Sequence, residues 1–171
     1  MLRQTVISVL APEISVSCQI LVPGSMPGVI SQKEVEYCAH LRNLFWDCVE
    51  TAFQIDRNAP YQARLAALND AHIGLWGCVG IMRCRASYDA TIRDAKFNDF
   101  AELLSAYPQI NRICLNGRGA FDYWRRLVYR FFPMSEQRIC LLMLKPLTCR
   151  RHHLPMPLYR LLLKLTHGAL R

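Results

Sequence analysis

Several things are missing from these 171 residues, and each absence removes a class of function. No apolar run is long enough to cross a bilayer. There are 8 cysteines, at 18, 38, 48, 78, 84, 114, 140 and 149, yet no pair has C-x-x-C spacing. No tight Cys/His cluster forms a zinc half-site, so metal-held folds are excluded and buried, reduced thiols are expected. There is no Gly-x-Ser-x-Gly elbow and no Walker loop, which argues against an α/β hydrolase and a P-loop nucleotidase. Met1 to Leu10 lacks a small-residue cleavage site and reads as mature sequence of a cytoplasmic protein rather than a secretory leader. Acidic residues are scarce at one end. Glu136 is the last of them; residues 135–171 carry seven Lys/Arg and one acid, against fourteen and twelve in residues 1–134. The net charge of +8 invites a polyanionic partner, but most of it sits in the tail.

The rest has the composition of a globular domain, 52% apolar and 20% charged, at a length suited to one core. Cys18 to Pro23 reads as a buried strand, ended by the turn Gly24-Ser25-Met26-Pro27-Gly28. Ser31 and Glu34 have capping-box spacing for a helix. Leu44, Phe45, Cys48, Val49 and Phe53 repeat at helical spacing, and Gln62 to Asp70 forms another helix with Leu65 and Leu68 inward. Ile73 to Trp76, continuing to Cys78-Val79, is a second strand. A helix starts at Asn98-Asp99-Phe100 and stops before Pro108. Ile110 to Leu115 is a third strand, Asn116-Gly117-Arg118-Gly119 a turn, and a helix with Phe121, Trp124, Leu127 and Val128 follows. Ile139 to Leu144 is a fourth strand. This alternation implies an α/β fold, a mostly parallel central sheet covered on both faces, in one domain. The glycine turns at 24–28 and 116–119 both follow strands. They therefore fall on the carboxyl edge, where open parallel sheets bind ligands.

Two clusters carry chemistry. The 24–28 turn lets backbone approach a ligand closely, although turns of this composition are common. Tyr37 through Trp46 places an aromatic, His40, Arg42 and Asn43 just ahead of an apolar helix. The ordinary role of Asn43 is to cap that helix. Its sharper role is to hold a water or a base edge, since an amide both donates and accepts. His40 alone is more often structural, and Phe45 and Trp46 are more often core than stacking platforms.

Taken together, these segments resemble the hypoxanthine DNA glycosylases of the uracil-DNA glycosylase superfamily. That pattern is a G-S-x-P-G turn followed by Y-x-A-H-P-x-N-x-F-W. The likeness continues through Gly74-Leu75-Trp76, Ser87 to Ile92, Asn98-Asp99-Phe100 and Asn116-Gly117, covering roughly residues 18 to 130. The resemblance implies a three-layer α/β/α sandwich. It also implies a monofunctional hydrolase that flips hypoxanthine, and sometimes uracil, out of double-stranded DNA and cuts the N-glycosidic bond without metal or organic cofactor. A monomer is expected. On the same ground Asn43 positions water, and His40 donates to the leaving base or binds a phosphate. Gly24, Ser25, Met26, Pro27 and Gly28 shape the base pocket together with Tyr37, Phe45 and Gly117. Asn116 reads the base, and Arg42 and Arg118 contact phosphates.

The chain departs from that pattern at three places. Leu41 stands where proline is usual, and Gly77 where an acid is usual. The third is the end of the chain. The closing strand should run into an L-P-S-[ST]-S-P-A-like loop that grips DNA, but Leu142 to Arg151 runs on differently, and only basic, apolar, His and Pro-rich sequence follows. Read one nucleotide later, codons for Leu144 to Arg150 can spell a run ending Ser-x-Ser-Pro-Ala. The expectation is a family-like body over residues 1–138 and a divergent basic tail over 139–171, produced by a frameshift near 139–144. The competing expectation is a catalytically impaired, DNA-binding relic of the same fold.

Overall fold

The computed structural model describes residues 5–7, 10–84, 93–128 and 140–144, with side chains over 10–80 and 96–126. In chain order the strands and helices are β1 (Thr5–Ile7), β2 (Ile20–Gly24), α1 (Val29–Glu34), α2 (Phe45–Phe53), α3 (Tyr61–Asp70), β3 (Ile73–Gly77), β4 (Val79–Cys84), β5 (Arg93–Phe97), α4 (Phe100–Ala106), β6 (Arg112–Asn116), α5 (Gly117–Tyr123) and β7 (Cys140–Leu144). A π-helical turn, Trp124–Val128, extends α5.

The strands β3, β2, β6 and β7 lie side by side in that order, and every neighbouring pair is parallel. Parallel strands are buried on both faces, so their side chains alternate between two cores rather than between core and water. Ile20, Val22, Ile73, Leu75 and Cys114 point to one side and pack with Phe45, Val49, Leu65 and Leu68 of α2 and α3. Leu21, Ile113 and Leu115 point to the other and pack with Phe100, Leu103, Ala120 and Trp124 of α4, α5 and the π turn. These are the three expected layers, with Leu65 and Leu68 inward as their spacing predicts.

Two details differ from the expectation. Ser31 is not a helix cap. The N-cap of α1 is Gly28, three residues earlier, and buried Ser31 instead accepts a hydrogen bond from the Ala39 amide at 3.2 Å. The second strand also divides at Cys78. Its continuation β4 leaves the parallel sheet and joins β1 and β5 in a small antiparallel sheet. At α4 the expected start is found: the Asp99 side chain accepts from the Glu102 amide at 3.0 Å. Among the described side chains Cys18, Cys48, Cys78 and Cys114 are buried and no cysteine is in a disulfide, as the spacing implied. No described helix is long and apolar enough to cross a membrane.

Candidate active site at the carboxyl ends of the strands

The strands β3, β2 and β6 end together at Gly77, Gly24 and Asn116, and a cleft of about 470 Å³ opens beyond them. Its floor is the 24–28 loop, its walls the segment 37–44 and the ends of β3 and β6. The 24–28 loop is fixed from below: Cys78 and Val79 donate their amides to the Gly24 and Ser25 carbonyls at 2.8 and 3.0 Å. Two glycines let β6 and α5 crowd against it. Gly117 has φ +90°, a left-handed conformation that penalises other residues. A Cβ on Gly119 would stand 3.2 Å from the Ser25 Cβ, so a side chain there would push the two loops apart.

The 37–44 wall is held through Tyr37. Its ring is buried, its hydroxyl is shared between the Leu10 and Ala11 carbonyls at 3.1 and 3.0 Å, and its amide donates to the Tyr61 hydroxyl at 3.0 Å. The Trp46 indole donates to the Tyr37 carbonyl at 3.0 Å. Arg64 lies over Trp46 at 4.4 Å and pairs with Glu36 at 3.1 Å. Burial pushes the Tyr61 hydroxyl up to about 12 and that of Tyr37 higher still. Tyr37 therefore lines the cleft as neutral, committed structure rather than as a free acid or base.

Next comes a tight turn. The Asn43 amide donates to the His40 carbonyl at 2.7 Å, with Leu41 and Arg42 between them. The His40 Nδ1 accepts from the Arg42 amide at 2.9 Å. A neutral imidazole bonded this way carries its proton on Nε2 and offers a donor there. The N-cap of α2 is Leu44 rather than Asn43, but the Asn43 Oδ1 accepts from the Phe45 amide, the first N–H of the helix, at 3.0 Å, and the residue lines the cleft. Between the amides of Asn43 and Asn116 lies Cys38, whose backbone is left-handed at φ 57°. The Asn116 Nδ2 is 4.0 Å from its sulfur, and Asn43 also hydrogen-bonds it. Desolvation pushes this thiol up to about 12, opposed by the bond from Asn43, so it is neutral at working pH.

The structure thus gathers Gly24 to Gly28, Tyr37, His40, Arg42, Asn43, Asn116 and Gly117 around one cavity. It does not gather two others. Phe45 is turned into the core, edge-on to Trp46 at 5.1 Å, because its α2 register matches Cys48 and Val49. Arg118 is outside the cleft and forks onto Asp122 at 3.1 and 2.9 Å, one helical turn away. Sequence reasoning missed Cys38, Ser31, Leu44 and Trp76 as cleft residues, although Cys38 and Leu44 lie inside the Tyr37–Trp46 motif. Gly77 lines the cleft where an acid was expected, and none of the described lining residues is Asp or Glu. The cleft is built from hydrogen-bond donors and amides, the groups that stabilise negative charge on a departing group.

The hypoxanthine DNA glycosylase of Methanosarcina barkeri is 31% identical over 113 residues, which is 66% of this chain and 72% of that protein. The chain belongs to the hypoxanthine DNA glycosylase family. The Methanosarcina acetivorans hypoxanthine DNA glycosylase is 33% identical over 106 residues, 61% of this chain and 67% of its own length. No family model matches. The fold is that of the uracil-DNA glycosylases. The solution NMR structure of a candidate uracil DNA glycosylase from M. acetivorans superposes with TM-score 0.76 at 22% identity, covering 98% of this chain and 100% of the other.

Proposed function

We propose that this family member excises hypoxanthine from deoxyinosine in double-stranded DNA by hydrolysing the N-glycosidic bond of an extruded nucleotide. The convergence of the Asn43 and Asn116 amides and the 24–28 loop on one cleft carries the reading. A base inside the stack is out of reach of any protein group, so it must enter such a cleft first, and a mispaired base is the cheapest to extract.

As the bond breaks, the sugar becomes oxocarbenium-like and the purine takes up negative charge. Asn116 Nδ2 and the His40 Nε2–H are the donors placed to meet that charge. Asn43 has its Oδ1 on the Phe45 amide and also donates to the Cys38 sulfur, which leaves the second Nδ2 hydrogen for a ligand. It orients a water through the water's oxygen, and the water adds to the anomeric carbon once the cation forms. The added water gives up its proton to solvent. The purine departs as an anion that is reprotonated, and an abasic site remains. Arg42, exposed at the rim, meets phosphate and adds salt-dependent affinity. The protein acts as a monomer and a single domain, and uracil is a secondary substrate.

A duplex with one deoxyinosine, incubated with the protein and then treated with alkali, tests this. Strand scission is expected. Its complete absence over enzyme excess overturns the reading and favours the relic, which Gly77 in place of an acid supports. Of the tail expected over 139–171, only the backbone of 140–144 falls among the described residues. β7 keeps register with β6 from Cys140 to Leu144, which supports a family-like closing strand up to that point. The proposed frameshift then falls at its end, and the gene's nucleotides test it: a shifted frame without Ser-Pro-Ala removes the idea.

A further inference from the structure

Of the residues that line the cleft, two have a left-handed backbone, Gly117 and Cys38. Glycine adopts that conformation freely. Cysteine at φ 57° does not, and holds it only where the surroundings over-determine the chain. They do so here, because both neighbours of Cys38 are held from elsewhere in the fold. The Tyr37 carbonyl accepts from the Trp46 indole of α2, and the Tyr37 amide donates to the Tyr61 hydroxyl of α3. The Ala39 amide donates to Ser31 Oγ of α1 at 3.2 Å. Three helices thus place one sulfur, and they place it between two amides.

The two amides belong to separate elements. Asn43 stands in the turn ahead of α2, with its Oδ1 on the Phe45 amide and a bond from its side chain to the sulfur. Asn116 ends β6. It is the N-cap of α5, yet its side chain makes no cap bond, and its Nδ2 lies 4.0 Å from the same sulfur. The last torsion of an asparagine is broad and roughly two-fold, so an unheld amide exchanges the places of its oxygen and nitrogen at little cost. A sulfur that accepts from both amides favours the state with each nitrogen turned toward it. Each Nδ2 then keeps one hydrogen for a ligand.

We propose that Cys38 is a positioning residue of the excision reaction: its sulfur is the shared acceptor that holds the Asn43 and Asn116 amides in one relative orientation, so that the amide addressing the water and the amide addressing the base are set together. The sulfur touches neither reactant and acts through the two asparagines. Its effect therefore falls on the rate of the bound complex rather than on DNA affinity. Contacts to sulfur are long and weak, so the effect is smaller than that of losing either amide. The coupling rests on the glycosylase reading, and the experiment tells the two apart.

Full-length Cys38→Ala, Cys38→Gly and Cys38→Ser variants are compared with the unsubstituted chain in single-turnover excision of deoxyinosine from a duplex, over a range of enzyme concentrations. Alanine should lower the rate at saturation about tenfold and leave the half-saturating concentration within about twofold. Glycine relaxes the left-handed backbone, so it should fold at least as stably as the parent and still be as slow as alanine. Serine keeps an acceptor at this position and should recover to within about threefold of the parent. In an Asn116→Ala background, Cys38→Ala should cost no more than about twofold further. Full activity of the glycine variant, a serine variant as slow as alanine, a loss confined to the half-saturating concentration, or an undiminished loss in the Asn116→Ala background each overturns the coupling and leaves the glycosylase reading standing. No excision by the unsubstituted chain overturns the glycosylase reading, and the coupling with it.

Discussion

The two faces of the parallel sheet hold the cleft by different means. On the side of α4 and α5, the core is apolar and aromatic: Phe100 packs against Trp76 at 4.9 Å and Trp124 at 4.8 Å, over Leu21, Ile113 and Leu115. On the side of α2 and α3, the aromatic residues are also hydrogen-bonding groups, and Tyr37, Trp46, Tyr61 and Arg64 tie the 37–44 wall to two helices. One face makes the sheet stable. The other also fixes where His40 and Asn43 stand. Burial is non-directional, whereas a hydrogen bond specifies an atom and an angle, so site geometry should depend on the second face more than stability does.

The largest expected effect removes the first face. Phe100→Ala should lower unfolding free energy by about 3–5 kcal/mol, read by denaturant titration, while the folded fraction excises hypoxanthine at a near-normal rate. Loss of rate in protein shown to be folded would mean that the apolar face also sets the site. Next is Asn43→Ala, expected to lower excision by roughly 100- to 1,000-fold, with only about 1 kcal/mol of stability lost with the bond to the Phe45 amide. Asn43→Asp sharpens the point. It keeps an acceptor for the Phe45 amide and removes the Nδ2 donor, so it should fold as well as the parent and excise as poorly as the alanine variant. An active N43D would show that the working end of the residue is its oxygen. Tyr61→Phe comes third. It strands the Tyr37 amide without an acceptor, at a cost of about 1–3 kcal/mol, and should lower excision beyond what the unfolded fraction explains. A stability loss with no change in rate per folded molecule would collapse the distinction between the faces.

The sheet was legible because its strands are local in sequence and buried on both sides; Ile20-Leu21-Val22 and Ile113-Cys114-Leu115 leave little else to be. The antiparallel sheet was not. β4 follows β3 with only Cys78 between them, too short a gap to read as the end of one strand and the start of another, and its partners β1 and β5 are fixed by pairing rather than by pattern. The start of α1 was misplaced because Ser31 and Glu34 happen to have capping-box spacing, while the chain turns into the helix at Gly28. In the cleft, the motif segments named most of the lining residues. What they could not give was direction. Phe45 and Asn43 are two residues apart, yet one faces the core and the other the cavity. The choice is made by helical register: Phe45 is the first residue of α2, and Asn43 lies ahead of its Leu44 N-cap. Arg118, named for phosphate rather than for the base, has Asp122 one helical turn ahead of it, a pairing that i,i+4 spacing makes visible in the sequence.

The smallest effect is a pH dependence in which the two faces should not differ at all. Burial pushes Cys48 up to about 11 and, with Cys38 at about 12, these belong to the hydrogen-bonded face. Cys18 at about 11 and Cys78 at about 12 belong to the apolar face. Every one of these thiols holds its proton more tightly folded than unfolded. Below the ordinary thiol value near 9 all are protonated in both states, and their contribution to stability is fully present. Above it the unfolded thiols ionise first, and stability falls until the folded values near 11 to 12 are passed. At pH 9 each thiol accounts for a few tenths of a kcal/mol, so Cys38→Ser and Cys78→Ser should each flatten the alkaline slope of unfolding free energy by a similar share. Only Cys38→Ser should also change excision at neutral pH, because only that sulfur lies between the two amides. Equal effects of both variants on excision would mean that the cleft responds to general loosening of the sheet, and that the hydrogen-bonded face has no separate hold on it.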